Sequence, residues 1–280
     1  MIGTIVKGVA GQYTVNVDNV SYICNARGLF RKNKVSPIVG DKVTITTAEN
    51  NTGTILEILP RKNALNRPKI ANIDCVIITL AAAQPTLHFA LLDRYLMQAE
   101  YEQISAVICI NKIDLDKKIP QLVQEIYTTA GYEIFAVSAE KQLNLATLSD
   151  FVSNKTTALA GPSGVGKTSL INALTENTLQ TGVISQKIGR GKHTTRHTEF
   201  IPLNQGGYII DTPGFSSLEP PNLPQLQRAT LFREFNNWIG NCKFNDCLHV
   251  SEKDCAIKNQ VGKTIDARRY ASYLELVEKG

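Results

Sequence analysis

Apolar residues follow three different patterns along the chain. Up to about residue 60 they alternate with polar residues in short runs. From about residue 63 the apolar runs are nearly continuous, at 73–82, 105–112, 132–139, 156–164 and 206–214, and helical segments separate them at 91–102, 121–130 and 167–175. A Pro-rich stretch at 219–224 precedes one more helical segment and a final helix near 266–278. These changes of pattern predict three domains, at residues 1–62, 63–220 and 221–280.

The first domain reads as a small β-barrel. Its segments 3–11, 12–18, 20–26, 41–48 and 52–59 are rich in Val, Ile, Thr and Tyr, and turn-forming residues separate them. Five short strands of this kind can close into an oligonucleotide/oligosaccharide-binding (OB) fold. An SH3-like barrel fits the same pattern, and the strand pattern does not separate the two.

The middle domain has the pattern of an α/β fold. Strands that are apolar throughout are typical of a parallel sheet covered by helices on both faces. Because such strands alternate with helical segments here, we expect a three-layer α/β domain.

Composition excludes a membrane-spanning helix. Of the 280 residues, 43% are hydrophobic and 20% are charged, as in ordinary globular proteins. The longest apolar stretch, residues 75–83, has half the length of a bilayer-spanning helix, which needs roughly 18 or more residues. The N-terminus alternates like a strand and does not resemble a signal peptide. We therefore expect a cytoplasmic location and no membrane partner.

Positive charge is concentrated at the two ends of the chain. The net charge is +5, with +4 in residues 1–62, −1 in residues 63–220 and +2 in residues 221–280. Basic flanks can bind a polyanion such as RNA, but solvated lysines on small domains explain the same numbers. The basic segment 27–34 is open to the same two interpretations, a contact to a nucleic-acid backbone or a solvated hairpin.

Residues 161–168 form a phosphate-binding loop. They fit the G-x-x-x-x-G-K-S/T pattern, and they stand between a predicted strand and a predicted helix, as the motif requires. The glycines let backbone N–H groups surround the phosphates, and the following helix directs its positive end at them. Lys167 would reach the β- and γ-phosphates, and Thr168 would hold Mg²⁺.

Two further motifs point to guanine, and a third points to the metal ion and the γ-phosphate. Asn111-Lys-Ile-Asp114 follows a strand, and an Asp carboxylate there can accept from both N1–H and the 2-amino group of guanine. Ser138-Ala139-Glu140 ends the next strand, where backbone N–H groups would reach the guanine O6. Asp211 and Gly214 fit the D-x-x-G motif that contacts the metal shell and the γ-phosphate. The residues predicted to bind nucleotide are Asn111, Lys112, Asp114, Ser138, Ala139, Gly161, Pro162, Ser163, Gly164, Val165, Gly166, Lys167, Thr168 and Ser169.

The chain order of these motifs is unusual. N-K-x-D and S-A-x ordinarily follow the P-loop and D-x-x-G in GTPases, but here they precede both. The chain therefore looks like a circularly permuted GTPase, and permutation is tolerated where termini and loops are exposed. Switch I must then lie in the basic segment 187–198, with Thr194 and Thr195 as candidate Mg²⁺ ligands. Thr195 is preferred.

A cluster near the C-terminus predicts a structural metal site. Cys242, Cys247, His249 and Cys255 supply three thiolates and one imidazole, a complete tetrahedral zinc set. Since the chain shows no secretion signal, this cluster favours metal over disulfides. The other cysteines lie singly in apolar runs and are interpreted as core residues.

Together these features resemble the ribosome-small-subunit-dependent GTPase A (RsgA/YjeQ) family. The resemblance covers essentially the whole chain and is most specific at residues 161–174, 189–195, 211–215 and in the cysteine spacing. It implies an N-terminal OB-fold barrel, a circularly permuted P-loop GTPase domain and a mainly helical zinc domain. It also implies GTP hydrolysis stimulated by the small (30S) ribosomal subunit during its late maturation, with rRNA, GTP and GDP as partners. We expect a monomer that uses one structural Zn²⁺, and Mg²⁺ with GTP.

Two other functions share these motifs. One is a non-catalytic, GTP-gated RNA-binding module, and the other is an assembly GTPase of the large subunit. For hydrolysis, Phe215 stands where Ras-like enzymes place the glutamine that orients water. His193 is the candidate substitute, because imidazole can hydrogen-bond water near neutral pH; a mere contact of His193 with RNA or solvent is the alternative.

Overall fold

A computed structural model describes residues 1–28, 30, 35–66, 68–175, 199–211 and 223–278. The chain folds into two compact units, each made of separate stretches of sequence. The first unit comprises Met1–Cys75, Ser149–Leu159 and Thr168–Phe215, and the second comprises Val76–Leu148, Ala160–Lys167 and Ser216–Gly280. Both units therefore contain parts of the predicted middle domain, and the predicted boundaries at residues 62 and 220 stay a prediction.

The first unit begins with a closed β-barrel. Its strands are β1 (Ile2–Val9), β2 (Gln12–Val17), β3 (Val20–Ala26), β4 (Lys42–Ala48) and β5 (Thr52–Ile58). They close in the order β1-β2-β3-β5-β4, with β3 and β5 parallel and the other pairs antiparallel. This order is that of an OB fold, so the OB prediction is confirmed and the SH3-like alternative is dropped. The inward-facing side chains of alternate residues, Ile5, Val15, Val43, Ile45 and Ile55, are fully buried.

The rest of the first unit adds a hairpin and part of a parallel sheet. The hairpin consists of β6 (Ala64–Asn66) and β7 (Lys69–Ala71). In the sheet, β11 (Lys155–Ala160) pairs in parallel with β13 (Gly207–Asp211), and β12 (Ile201–Pro202) pairs antiparallel with β13. The Phe200 N–H, just before β12, donates to the Val6 carbonyl of the barrel at 2.8 Å.

The second unit contains the strands that lead into the guanine motifs. Here β8 (Cys75–Ala81), β9 (Ser105–Asn111) and β10 (Ile134–Ala136) lie in the order β10-β9-β8. All of β8 and nearly all of β9 are buried, as the continuous apolar runs predict. The helices α1 (Phe89–Tyr101) and α2 (Lys118–Thr129) alternate with them. Helix α3 (Leu145–Val152) begins in the second unit and ends in the first, and α4 (Lys167–Thr175), after the P-loop, belongs to the first unit from Thr168 onward.

The C-terminal segment of the second unit is mainly helical, as predicted. It contains α5 (Gln225–Arg228), single 3₁₀ turns at Ala229–Leu231, Arg233–Phe235 and Lys258–Gln260, and the long helix α6 (Ala267–Glu278). Its hydrophobic core extends to Met97 of α1 and includes the aromatic rings of Phe232, Phe235 and Tyr273. This core joins the segment to the nucleotide-binding part of the same unit.

A buried arginine also links the C-terminal segment to α1. Arg269 of α6 is 1% exposed, and its guanidinium donates to both carboxylate oxygens of Glu234, at 2.7 and 3.0 Å, and to Asp93 of α1 at 2.6 Å. The hydroxyl of Tyr127 also donates to Asp93, at 2.7 Å. The two carboxylates raise the pKa of Arg269 despite the opposing effect of its burial. The guanidinium therefore stays charged and links α1, α6 and a 3₁₀ turn.

No helix among the described residues is both long and apolar enough to cross a bilayer.

Removing the guanidinium should destabilise the second unit strongly. We expect Arg269→Met to lower its free energy of unfolding by about 3–5 kcal/mol, because two buried carboxylates lose their partner. Arg268→Met is the matched control, since the ion pair of Arg268 with Asp266 is half exposed and should contribute about 1 kcal/mol or less. Denaturant unfolding of both variants measures the difference, and equal losses would contradict the role given to Arg269.

Candidate nucleotide and metal sites

The P-loop has a backbone that only glycine can adopt. Gly161, Gly164 and Gly166 have φ of +135°, +83° and +93°, in the region that disfavours other residues. A Cβ on Gly161 would lie 2.1 Å from the carbonyl oxygen of Thr79, and one on Gly166 would lie 2.3 Å from the side-chain amide of Asn111. The glycines thus give the loop both its curvature and its close packing on the neighbouring strands.

The lysine of the loop folds back over it. The Lys167 ammonium donates to the carbonyls of Gly161 at 2.8 Å and Pro162 at 3.0 Å. It therefore lies within the loop, where a phosphate group would be bound. Val165 is buried, whereas Ser163 and Gly164 are exposed. Thr168 and Ser169 are half-buried in the first turn of α4.

Asn111 joins three of the predicted motifs. Its side chain is 2% exposed, and its amide donates to the carbonyl of Val165 in the P-loop at 3.0 Å. Its amide oxygen accepts from the backbone N–H of Lys112 at 2.9 Å and of Ala139 at 3.0 Å. The sequence assigns Asn111 to nucleotide binding. The geometry shows that this side chain also holds the loops of the site together.

Lys112 and Asp114 differ sharply in their surroundings. The Lys112 ammonium donates to the carbonyl of Gly164 at 2.6 Å and also to that of Gln84. Asp114 is exposed, and its carboxylate has no hydrogen bond or ion pair among the described residues. A carboxylate in this state can accept hydrogen bonds from a ligand without breaking any in the protein.

The segment after β10 is a closed turn. Ser138 and Leu143 exchange backbone hydrogen bonds at 3.1 and 3.0 Å, and the Ser138 hydroxyl accepts from the N–H of Lys141 at 3.1 Å. Ser138 and Ala139 are both buried. The turn therefore stands in a fixed position beside Asn111.

Some predicted residues lie outside the described part of the chain. Asp211 ends β13 and is the last described residue before position 223. Gly214, and the switch candidates His193, Thr194 and Thr195, belong to the undescribed segments. The structure thus brings together the P-loop, Asn111-Lys112 and Ser138-Ala139.

The four residues predicted to bind metal lie close together. The ligand atoms of Cys242, Cys247, His249 and Cys255 all lie within 4.8 Å of one another. Nδ1 of His249 is 3.4 Å from the sulfurs of Cys242 and Cys255, which are 3.8 Å apart. Zn–S and Zn–N bonds of about 2.3 and 2.0 Å in a tetrahedron give S···S and S···N separations of about 3.8 and 3.5 Å. The donor set therefore fits a tetrahedral metal ion of zinc's size.

Burial shifts the pKa of two of these side chains in opposite directions. It raises the pKa of the Cys247 thiol to about 12 and lowers the pKa of His249. His249 is consequently neutral, which is the form that binds a metal ion. The thiols must release protons when a metal binds.

Comparison with known proteins identifies the family. The RsgA GTPase model matches residues 58–221, and the RsgA N-terminal domain model matches residues 2–55. The chain belongs to the RsgA family of GTPases. Membership makes it a GTP hydrolase, as the motifs predict.

The similarity to named relatives extends over nearly the whole of this RsgA-family chain. Proteins named small ribosomal subunit biogenesis GTPase RsgA, from Caldanaerobacter subterraneus subsp. tengcongensis and Alkaliphilus metalliredigens, are 44% and 43% identical to it. The matches cover 99% and 98% of this chain and 95% and 96% of those proteins.

Solved structures confirm the fold class. YjeQ from Thermotoga maritima has a TM-score of 0.85 at 31% identity, covering 99% of this chain and 97% of that one. YloQ, described as a circularly permuted GTPase, has a TM-score of 0.83 at 36% identity, covering 99% and 94%. The permuted α/β fold with an N-terminal barrel is therefore confirmed for this RsgA-family chain.

Sequence reasoning missed the loop at Gln84 and Pro85. The Gln84 carbonyl binds the Lys112 ammonium, and the Pro85 ring lies 3.7 Å from the Cβ position of Gly164. The Gln-Pro pair indicates a turn. A backbone carbonyl, however, leaves no mark in the sequence that would show where it points.

We expect guanine selectivity to depend on Asp114. A site built around hydrogen bonds typically rejects analogues that lack them by roughly 10⁴–10⁵-fold, so GTP should bind far more tightly than ATP. Asp114→Asn should weaken GTP binding without unfolding the protein, because this carboxylate has no partner among the described residues. Titration with fluorescent GTP and ATP analogues measures both effects.

Asp116→Asn provides the matched control. Asp116 accepts from the backbone N–H groups of Lys118 at 2.7 Å and Ile119 at 3.3 Å at the start of α2, and the side-chain oxygen of asparagine can accept the same bonds. GTP affinity should therefore survive this change. Equal affinities of the wild type for ATP and GTP would refute the guanine assignment.

We expect one equivalent of zinc per chain. Metal analysis of protein purified without chelator should find about one Zn²⁺, the number that one four-ligand site holds. Cys247→Ser should lose the metal, because one of the four ligands is removed. Cys24→Ala, a buried cysteine of the barrel, should keep it. Unchanged zinc content in Cys247→Ser would show that the cluster is not the site.

Proposed function

We propose that this chain binds the small ribosomal subunit and hydrolyses GTP during late maturation of that subunit. The observation that carries the proposal is the likeness of 40–44% identity, over nearly the whole chain, to proteins named small ribosomal subunit biogenesis GTPases. The likeness includes the barrel and the C-terminal cluster as well as the GTPase part. The expected partners are GTP, GDP and rRNA, and we expect a cytoplasmic monomer.

The binding motifs have distinct roles in this proposal. The P-loop N–H groups and Lys167 bind the phosphates, while Asp114 and the Ser138-Ala139 turn recognise the guanine. Thr168 and Thr195 would hold Mg²⁺, which neutralises phosphate charge when bound. Asp211 and Gly214 would respond to the γ-phosphate. The packing of Asn111 and Lys112 against the P-loop supports this arrangement, because recognition of the base and of the phosphates then depends on one rigid assembly.

Zinc is the metal we propose for the C-terminal cluster. Three thiols and one imidazole are soft and borderline ligands that suit Zn²⁺ better than Mg²⁺ or Ca²⁺. The complete protein ligand set implies a structural rather than a catalytic metal. Cys242, Cys247, His249 and Cys255 would hold it.

The attacking water needs a partner that Phe215 cannot provide. A phenyl ring neither donates nor accepts the hydrogen bond that a glutamine makes with this water. We propose His193, beside Thr194 and Thr195, as the residue that orients the water once the subunit is bound. Hydrolysis by the free protein would then be slow and conditional on docking.

Family membership disfavours the other two functions. A non-catalytic RNA-binding module is inconsistent with a family of GTP hydrolases. The relatives are named for the small subunit, which argues against a large-subunit assembly factor. We therefore retain the small subunit as the proposed partner.

We expect GTP turnover to rise steeply when small subunits are added and to change little with large subunits. His193→Ala should lower the stimulated rate on the order of 10²-fold, the usual contribution of a well-placed proton-transfer or water-orienting group. His197→Ala, in the same segment, is the control and should retain stimulation. The measurement is phosphate release with and without isolated subunits.

The outcomes separate two parts of the proposal. Equal turnover with and without small subunits would refute the dependence on the subunit. Normal stimulation in His193→Ala would leave that dependence intact and would remove His193 from the mechanism.

A further inference from the structure

The turn that carries His249 is held by a carboxylate outside the ligand set. The two oxygens of Glu252 accept from the backbone N–H groups of Leu248 at 2.6 Å and Val250 at 2.8 Å. Both oxygens are thereby used by the backbone on either side of His249. Glu252 thus stabilises the turn through hydrogen bonds to its backbone. It lies among the predicted ligands in the sequence but is not one of them.

Two tyrosines of α6 hold the other side of the same turn. The hydroxyl of Tyr273 donates to the carbonyl of Leu248 at 2.6 Å, and the hydroxyl of Tyr270 donates to the carbonyl of His249 at 2.7 Å. With Glu252, they give the turn four side-chain hydrogen bonds. None of these bonds involves a metal-ligand atom.

These four hydrogen bonds stabilise a turn whose backbone conformation is unfavourable. His249 has φ of +59°, a left-handed conformation that is unfavourable for residues other than glycine. In this conformation its Nδ1 lies 3.4 Å from the sulfurs of both Cys242 and Cys255. The strained backbone and the ligand geometry therefore occur together, and the hydrogen bonds hold both.

The tyrosines also have supporting contacts outside the cluster. The ring of Tyr273 packs edge-on against Phe232 and Phe235, with centroid distances of 5.5 and 5.1 Å. Arg269, next to Tyr270 in the chain, is bound to Glu234 and Asp93. Helix α6 thus has anchors of its own and can present both hydroxyls before any metal arrives.

We propose that Tyr270, Tyr273 and Glu252 are positioning residues of the metal centre and hold His249 in its ligating geometry in the metal-free protein. This inference rests on the proposed zinc site. Outer groups of this kind typically account for 10–100-fold in metal affinity. It follows that metal loss leaves α6 docked, and that the tyrosine hydroxyls raise metal affinity by reducing the ordering needed on binding.

The test compares Tyr270→Phe, Tyr273→Phe and the double variant with the wild type. Each change removes one hydroxyl and keeps the ring packing. Tyr101→Phe is the control, because Tyr101 is 39% exposed and its hydroxyl has no hydrogen bond within the described ranges. Competition with a chromophoric chelator gives the Zn²⁺ affinity, and Co²⁺ absorption reports the ligand geometry.

We expect each tyrosine variant to bind Zn²⁺ about 10-fold more weakly, and the double variant up to about 100-fold more weakly. The Co²⁺ spectrum should change with them, and the control should match the wild type. The thermal midpoint of each metal-free variant separates this role from simple stabilisation. A purely structural role would lower the midpoints with and without metal equally, whereas a positioning role reduces the shift that metal produces.

Two results would overturn the inference. If the wild type binds zinc and the tyrosine variants bind it equally well, the positioning role is wrong and the zinc site stands. If the wild type binds no zinc, the zinc site and the inference fail together.

Discussion

A loop that offers its backbone N–H groups to phosphate cannot use the same groups to stabilise its own fold. Residues 161–166 must therefore be held by contacts from neighbouring elements. Asn111 donates to the Val165 carbonyl, Lys112 donates to the Gly164 carbonyl, and Gly161 packs directly on the backbone of Thr79. The guanine motifs are thus part of the scaffold of the phosphate site, and the rest of the unit is arranged to keep them in contact.

This constraint explains why circular permutation preserves the site. The contacts join residues 79, 111 and 112 to the P-loop, and each of these residues lies in or directly after a buried strand. The site depends on which strand ends lie next to each other, since a side chain such as Asn111 forms its hydrogen bonds with residues far away in the sequence. The order in which the chain visits those strands does not change the chemistry.

The C-terminal segment is held to the nucleotide-binding part by interactions of different kinds. A shared hydrophobic core reaches Met97, and the buried Arg269 binds Asp93 on α1. Burying charges is costly, so the arginine adds less stability than its short bonds suggest, but it permits only one arrangement of three elements. The metal cluster is carried by the same segment, and α6 supports both the arginine and the turn at His249.

The sequence alone predicted the family, the permuted order of motifs, the barrel and the four candidate metal ligands, because each depends on residue types at fixed spacings. Glycine at 161, 164 and 166 and the Cys-His spacing are signatures of local geometry, which the chain encodes directly. The tertiary structure alone decided the strand order that makes the barrel an OB fold. It also showed the contacts that Asn111, Arg269, Tyr270 and Tyr273 make with distant parts of the chain. These side chains act on partners up to 176 residues away in the chain. A polar side chain in a sequence does not show which distant carbonyl or carboxylate it will meet, since that depends on how the elements pack.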